Sequence, residues 1–168
     1  NYNTIADIGG GEGFLISAIL NQYPAASGIL FDLPEALAKA PAFLQSQGTQ
    51  DRIRLEPGSF LESVPVKADL YLLKNILHNW YDEQAACILG NLRKSMPSGA
   101  RILILEMVVQ EQGGSPAPAL LDIQMMVSFR DGQERTLREY EQLMRKAGLK
   151  ITRVIPTIAP VSLIEAGL

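Results

Sequence analysis

Short, nearly unbroken apolar runs alternate along the chain with longer segments whose apolar residues recur every three or four positions. Runs at Thr4–Ile8, Ser27–Phe31, Ala68–Leu73 and, interrupted by Glu106, Arg101–Val109 predict strands, the uninterrupted ones buried because a half-exposed strand would alternate apolar with polar. Arg52–Leu55 reads as a further short strand, third in order. Helical spacing predicts a helix over Phe14–Gln22, with Phe14, Leu15, Ala18 and Ile19 inward and Tyr23-Pro24 as its stop. A second helix is expected from Pro34 to Gly48, with Pro41 breaking or kinking it. Asp82 reads as the cap of a third, whose inward stripe is Ala85, Ile88, Leu89, Leu92 and Met96. A loop is expected at 113–118, followed by a methionine-rich segment at 120–129. Thr136-Leu137-Arg138-Glu139 is a capping-box signature that opens a helix ending at Gly148. Two closing strands, Ile151–Ile155 and Val161–Ile164, follow. Alternating strands and helices predict an α/β fold: a mostly parallel, seven-stranded sheet with helices on both faces. Such sheets bind ligands beyond the carboxyl ends of their strands.

Composition narrows the function by exclusion. The chain has 168 residues and 47% hydrophobic content, enough for one domain, residues 1–168, with a sizeable core. A net charge of −3 is the wrong sign for a nucleic-acid footprint. One cysteine, Cys87, excludes an intrachain disulfide and a cysteine-based zinc site; its helical position predicts a small buried residue. The sequence contains no span of membrane-crossing length and no signal peptide, which points to the cytoplasm. It opens without methionine and almost directly on a strand, as expected of a domain from a longer chain.

The stretch Ile5-Ala6-Asp7-Ile8-Gly9-Gly10-Gly11-Glu12-Gly13-Phe14 is the first candidate for chemistry. It reads as strand, tight turn, helix, and the helix start offers unpaired N–H groups to a polar ligand. The dinucleotide pattern G-x-G-x-x-G would put its third glycine on Phe14, whereas the chain has it at Gly13. A nicotinamide-dependent oxidoreductase is therefore disfavoured. The spacing Asp7-x-Gly9-x-Gly11-x-Gly13 resembles instead the S-adenosylmethionine loop of Rossmann-like methyltransferases. Asp32 ends the second strand about 20 residues on, where an acid accepts ribose hydroxyls; alternatively it caps the next helix. Asp7, Asp32, Lys74 and Glu106 all fall near strand carboxyl ends and are expected around one crevice. His78, the single histidine, is the candidate general base near neutral pH. A lone histidine after an apolar run is also consistent with simple packing.

The stretch from Asp69 to Glu83, with Lys74-Asn75-Ile76-Leu77-His78-Asn79-Trp80-Tyr81-Asp82-Glu83, resembles the signature of plant-type O-methyltransferases, the caffeate- and acetylserotonin-like family. Phe31-Asp32-Leu33-Pro34 resembles the ribose-binding strand end of that family, and Gly132-Gln133-Glu134-Arg135-Thr136 its Gly-x-Glu-Arg-Thr segment. The resemblance covers essentially the whole chain. It implies a Rossmann-like methyltransferase domain that uses S-adenosylmethionine, releases S-adenosylhomocysteine and needs no metal. It implies His78 as base, with Glu106 and Glu134 flanking its imidazole. The cofactor would be held by Asp7, Gly9, Gly11, Gly13, Asp32, Leu33, Ser59, Phe60 and Lys74. The substrate, a small and aromatic hydroxyl compound of secondary metabolism, would meet Asn79, Met125, Met126 and Phe129. Partners implied are that acceptor and a second copy, paired through an N-terminal helical domain that this chain lacks.

Two departures qualify the match. The family usually has an acid where Ser59 stands, in Gly58-Ser59-Phe60-Leu61, and an aspartate where Asn79 stands. Together with the missing helical domain they define a rival: a member of the same family that binds the cofactor without O-methylation, or uses it for other chemistry such as decarboxylation or hydroxylation.

Overall fold

The computed structural model describes residues 2–109, 133–158 and 161–168. The expected loop at 113–118 and the methionine-rich segment with Met125, Met126 and Phe129 lie outside them. The strands are β1 (Thr4–Ile8), β2 (Ser27–Asp32), β3 (Ile53–Pro57), β4 (Leu70–Lys74), β5 (Arg101–Val109), β6 (Arg135–Thr136), β7 (Lys150–Pro156) and β8 (Val161–Gly167). The helices are α1 (Phe14–Gln22), α2 (Ala40–Ser46), α3 (Asp82–Ser95) and α4 (Leu137–Lys146).

Seven strands run in the order β3-β2-β1-β4-β5-β8-β7, and the two-residue β6 pairs with the end of β5. β1 to β5 are mutually parallel, whereas β8 and β7 close the edge antiparallel. This is the mostly parallel sheet expected from the sequence. The apolar runs are uninterrupted because both faces are covered. Ile5, Leu30, Leu70 and Leu72 meet Ile16 and Leu20 of α1 and Leu44 of α2 on one side. Ala6, Ile8, Phe31, Tyr71 and Leu73 meet Ile88 and Leu92 of α3 and Leu143 of α4 on the other. No helix among the described residues is long and apolar enough to cross a membrane.

Four local expectations are corrected. α1 buries Ile16, Ser17 and Leu20 rather than the Phe14/Ala18 face, and Phe14 is 63% exposed. Ile16 and Leu20 pack into the core on that face, and Ser17 between them is satisfied there, its Oγ pairing with Thr49 Oγ1 at 3.0 Å. Phe14 stays outside and stacks on Phe43, their ring centroids 4.0 Å apart. The helix expected from Pro34 to Gly48 is divided: a 3-10 turn at Leu37–Lys39 precedes α2, and Pro41 sits in the first turn of α2, where its missing N–H costs nothing. Asp82 is not the cap of α3, because Tyr81 holds that position and makes no side-chain cap bond; the Asp82 carboxylate is engaged by Arg135 instead. Cys87 is exposed, since it lies off the Ala85/Ile88/Leu89/Leu92 stripe.

Close approach of α1 to the sheet depends on Gly28 in β2. A Cβ there would lie 2.7 Å from Ile16 Cδ1, 3.0 Å from Ile53 Cγ1 and 3.1 Å from Leu20 Cδ1. Gly28→Ala is therefore an overpacking test free of left-handed strain, expected to cost about 1–3 kcal/mol in urea denaturation. A loss below about 0.5 kcal/mol would mean that α1 has room to shift.

Candidate active site

The turn between β1 and α1 takes its shape from three left-handed glycines, Gly9 (φ 71°), Gly11 (φ 57°) and Gly13 (φ 89°). Side chains are excluded at Gly9 for a second reason, because a Cβ would sit 2.5 Å from Ile76 Cδ1 and 3.4 Å from Phe60 Cε1. At Gly11 a Cβ would meet nothing within 4 Å, so the turn is open there. Asp32, at the end of β2, accepts the Gly11 N–H at 2.8 Å on Oδ2 and the Leu33 N–H at 2.7 Å on Oδ1. Each oxygen keeps a lone pair for a further donor, and the half-buried residue faces the open turn. Next to it, Gly58 donates to the Asp32 carbonyl at 3.0 Å, and the Ser59 carbonyl accepts from Glu62 and Ser63. Leu33 and Lys74 are exposed.

Asp7 behaves differently from Asp32. It is 2% exposed, and its Oδ2 has no hydrogen-bond partner among the described residues. Burial pushes its pKa up to about 7, against the Ile16 N–H, which stabilises the charge; Asp32 adds to the rise and Lys74 opposes it. Asp7 and Glu106 thus lie beneath the crevice, and Asp32 and Lys74 lie at its surface.

Beyond β4 the chain reverses through Asn75, whose φ of 55° is left-handed, a conformation asparagine tolerates. Leu77–Asn79 then form one turn of 3-10 helix that carries His78. The first N–H groups of such a turn have no partner of their own. Glu106 supplies it from β5: its Oε1 accepts from Ile76 at 2.9 Å, Leu77 at 2.6 Å and His78 at 3.4 Å. Its Oε2 accepts from the Tyr140 hydroxyl. Glu106 therefore grips the backbone of the turn, whereas Glu134 reaches the ring, with Oε1 3.0 Å from His78 Nδ1. A carboxylate only accepts, so Nδ1 carries the proton and Nε2 is left as a base.

Burial lowers the His78 pKa, but the Glu134 bond, the Glu106 and Glu134 charges and the Asn75 carbonyl outweigh it, and the net direction is upward. Burial raises the Glu106 pKa against donors from Tyr140, Leu77 and Ile76 and the nearby His78. Tyr140, raised well above its ordinary range by burial and by Glu106, stays a neutral donor. Asn79 donates through Nδ2 to the Asn75 carbonyl at 3.0 Å, and its buried Oδ1 has no partner among the described residues. Trp80 packs edge-on against Phe60, centroids 5.8 Å apart, which joins this turn to the wall of the glycine loop.

Sequence reasoning missed Arg135 as an element of the site, although it quoted the residue within a motif. Its side chain is fully buried. Nη1 donates to the Leu77 carbonyl at 2.8 Å, Nη2 to the Trp80 carbonyl at 2.7 Å, and Nε and Nη2 to Asp82 Oδ1 at 3.1 and 3.0 Å. Gln133 adds its N–H to the His78 carbonyl at 2.8 Å and Nε2 to Asp82 Oδ1 at 2.9 Å. The signal available was Arg135 directly after Glu134, in a two-residue strand against β5. No group of three or more metal-binding side chains occurs among the described residues.

A left-handed glycine turn after β1, an acid at the end of β2 and a histidine–carboxylate pair on one mostly parallel sheet agree with a Rossmann-like methyltransferase domain. Comparison with known proteins makes this specific: the O-methyltransferase domain profile matches residues 1–150. The chain belongs to this family of S-adenosylmethionine-dependent enzymes. It is 40% identical, over 99% of its length, to O-demethylpuromycin-O-methyltransferase of Streptomyces alboniger, of which it covers 45%. The crystal structure of LaPhzM superposes with a TM-score of 0.93 at 39% identity, covering 98% of this chain and 49% of that one. The O-methyltransferase NcsB1, solved with S-adenosylmethionine and 2-hydroxy-5-methyl naphthoic acid, gives 0.87 at 32% identity, covering 98% of this chain and 48% of that one. The chain spans about half the length of these relatives.

The buried Asp7 makes stability depend on pH. Its folded pKa, about 7, lies above the ordinary value, so the folded state binds the proton more tightly. The contribution of Asp7 is full below about pH 4 and is lost as pH rises toward 7. At about 1.4 kcal/mol per unit the loss is about 4 kcal/mol. Asp7→Asn, which still accepts from Ile16 and cannot ionise, should flatten this slope in denaturation curves between pH 4 and 8. An unchanged slope would place the dependence on another group.

Proposed function

We propose that this domain transfers a methyl group from S-adenosylmethionine to a hydroxyl oxygen of a small aromatic acceptor, with His78 as general base. The observation that carries the reading is the His78–Glu134 pair at 3.0 Å, on a turn fixed by Glu106. The cofactor fits the residues present: the left-handed glycines shape a turn that is open at Gly11, and Asp32 offers lone pairs beside it for ribose hydroxyls. We assign Leu33, Ser59, Phe60, Lys74 and Asp7 to the same cofactor site; Phe60 approaches Gly9 and the Lys74 charge acts on Asp7. When bound, S-adenosylmethionine supplies the electrophilic methyl group.

The rest of the chemistry belongs to the chain. Nε2 takes the proton of the acceptor hydroxyl, and Glu134 stabilises the imidazolium that results. An ordinary imidazole titrates near 6.5 and a phenol near 10, so free phenolate is scarce and Nε2 removes the proton as the new bond forms. We assign the acceptor side of the pocket to Asn79, Met125, Met126 and Phe129. The other half of a full-length protein would supply the helical domain that closes the pocket and pairs two copies, in the cytoplasm. The non-methylating rival gains no support from relatives that are themselves named methyltransferases.

The base must be neutral to act, and its pKa is raised, so kcat/KM should fall as pH drops through that raised value. His78→Ala in the full-length protein should lower kcat about 10²–10⁴-fold while S-adenosylhomocysteine affinity holds. Full turnover of phenols by this variant would sink the assignment. Glu134→Gln removes a charge that raises the pKa, so the acid limb of the profile should move to lower pH while the maximal rate falls. A limb that stays in place would remove Glu134 from the base's environment.

A further inference from the structure

We propose that Arg135 is a positioning residue for the general base: its guanidinium fixes the turn that presents the His78 ring to Glu134. This rests on His78 being the base.

Stability alone explains Arg135 poorly. Burying a guanidinium is costly unless it is matched, and an apolar side chain of similar size serves a core as well or better. Its ionic partner among the described residues, Asp82, is itself 47% exposed. What arginine alone supplies is a rigid planar fork that can serve several acceptors at once. Here the acceptors bracket the base. The Leu77 carbonyl precedes His78 by one residue, the Trp80 carbonyl follows by two, and Asp82 opens α3 beyond.

The neighbours of Arg135 complete the grip. Gln133 holds the carbonyl of His78 itself, and Glu134 holds its ring. Gln133 and Arg135 thus take the carbonyl edge of the turn, with Glu134 between them on the ring, while Glu106 takes the N–H edge from β5. With both edges held, the imidazole has a defined place against Glu134. A shift of about 1 Å in such a group can cost about 100-fold in rate.

Arg135→Lys separates geometry from charge, because the ammonium keeps the charge and loses the fork. His78 is the single histidine of this chain, and in 15N-imidazole-labelled full-length protein its signals are those lost in His78→Ala. The wild type should show a fixed Nδ1–H tautomer. Arg135→Lys should show mixed tautomers and an imidazole pKa lowered by about 0.5 unit or more, with S-adenosylhomocysteine affinity by calorimetry unchanged. Asp82→Ala, at a half-exposed side chain, removes the carboxylate that orients Nε and Nη2 and leaves the guanidinium its two carbonyls, so it should move the same signals less. Wild-type tautomer and titration in a folded Arg135→Lys overturn the proposal. Should that variant not fold, wild-type signals in Asp82→Ala overturn it equally. Turnover of a panel of phenols and hydroxynaphthoic acids by His78→Ala keeps the two readings apart. Retained turnover there removes the base; lost turnover with an unmoved Arg135→Lys spectrum removes only the positioning role.

Discussion

A carboxyl group in the middle of an apolar strand has to be met by donors, and meeting Glu106 builds the site. The residue is fully buried in β5. It finds three donors in the N–H groups at the start of the 76–79 turn and a fourth in the Tyr140 hydroxyl of α4. The turn needs the carboxylate as much as the reverse, since orphaned buried donors cost about 1–3 kcal/mol each. One side chain thereby ties the exit of β4, the end of β5 and the face of α4 at the point where His78 emerges. Burial raises its pKa and the donors pull it back. The charge stays close enough to bias the His78 ring, although Glu106 bonds the backbone and not the imidazole.

The glycine turn is coupled to this assembly by contact. Gly9 lacks a Cβ in the space where Ile76 Cδ1 and Phe60 Cε1 approach it. Ile76 belongs to the turn gripped by Glu106, and Phe60 meets Trp80 at the other end of the same turn. α3 fixes Phe60 in place, since Asn91 Nδ2 donates to the Phe60 and Leu61 carbonyls at 3.0 and 3.1 Å. The wall of the open turn and the support of the base are therefore the same few residues. A side chain at Gly9 would strain the left-handed backbone and displace both.

Features whose cause is local were legible in the sequence. The buried strands followed from apolar runs, the Thr136–Glu139 capping box from its spacing, and the left-handed turn from its glycines. Misread features have partners far along the chain. Ser17 finds its buried partner in Thr49, 32 residues away, so a helical wheel that counted it as polar placed α1 on the wrong face. Asp82 looked like a cap because caps are local; its partner Arg135 is 53 residues on. Glu106 and Glu134 were expected together on the imidazole, whereas one bonds backbone and one the ring. That division depends on where β6 pairs with β5, a register no periodicity reveals. Arg135 stood in the quoted motif without a role for the same reason.

Asn79 shows how a departure from a family pattern can be consistent with its own surroundings. Asn75 takes a left-handed conformation to reverse the chain after β4, and its carbonyl then accepts the Asn79 side-chain amide at 3.0 Å. An aspartate at this position could not donate to that carbonyl, and it would put a further negative charge beside a histidine already held by two carboxylates. With asparagine the αL turn is braced by a neutral group, and the upward bias on His78 comes from Glu134 and Glu106. The substitution lowers the local charge while keeping the turn closed. It therefore acts on the environment of the imidazole and leaves the bond that selects its tautomer in place.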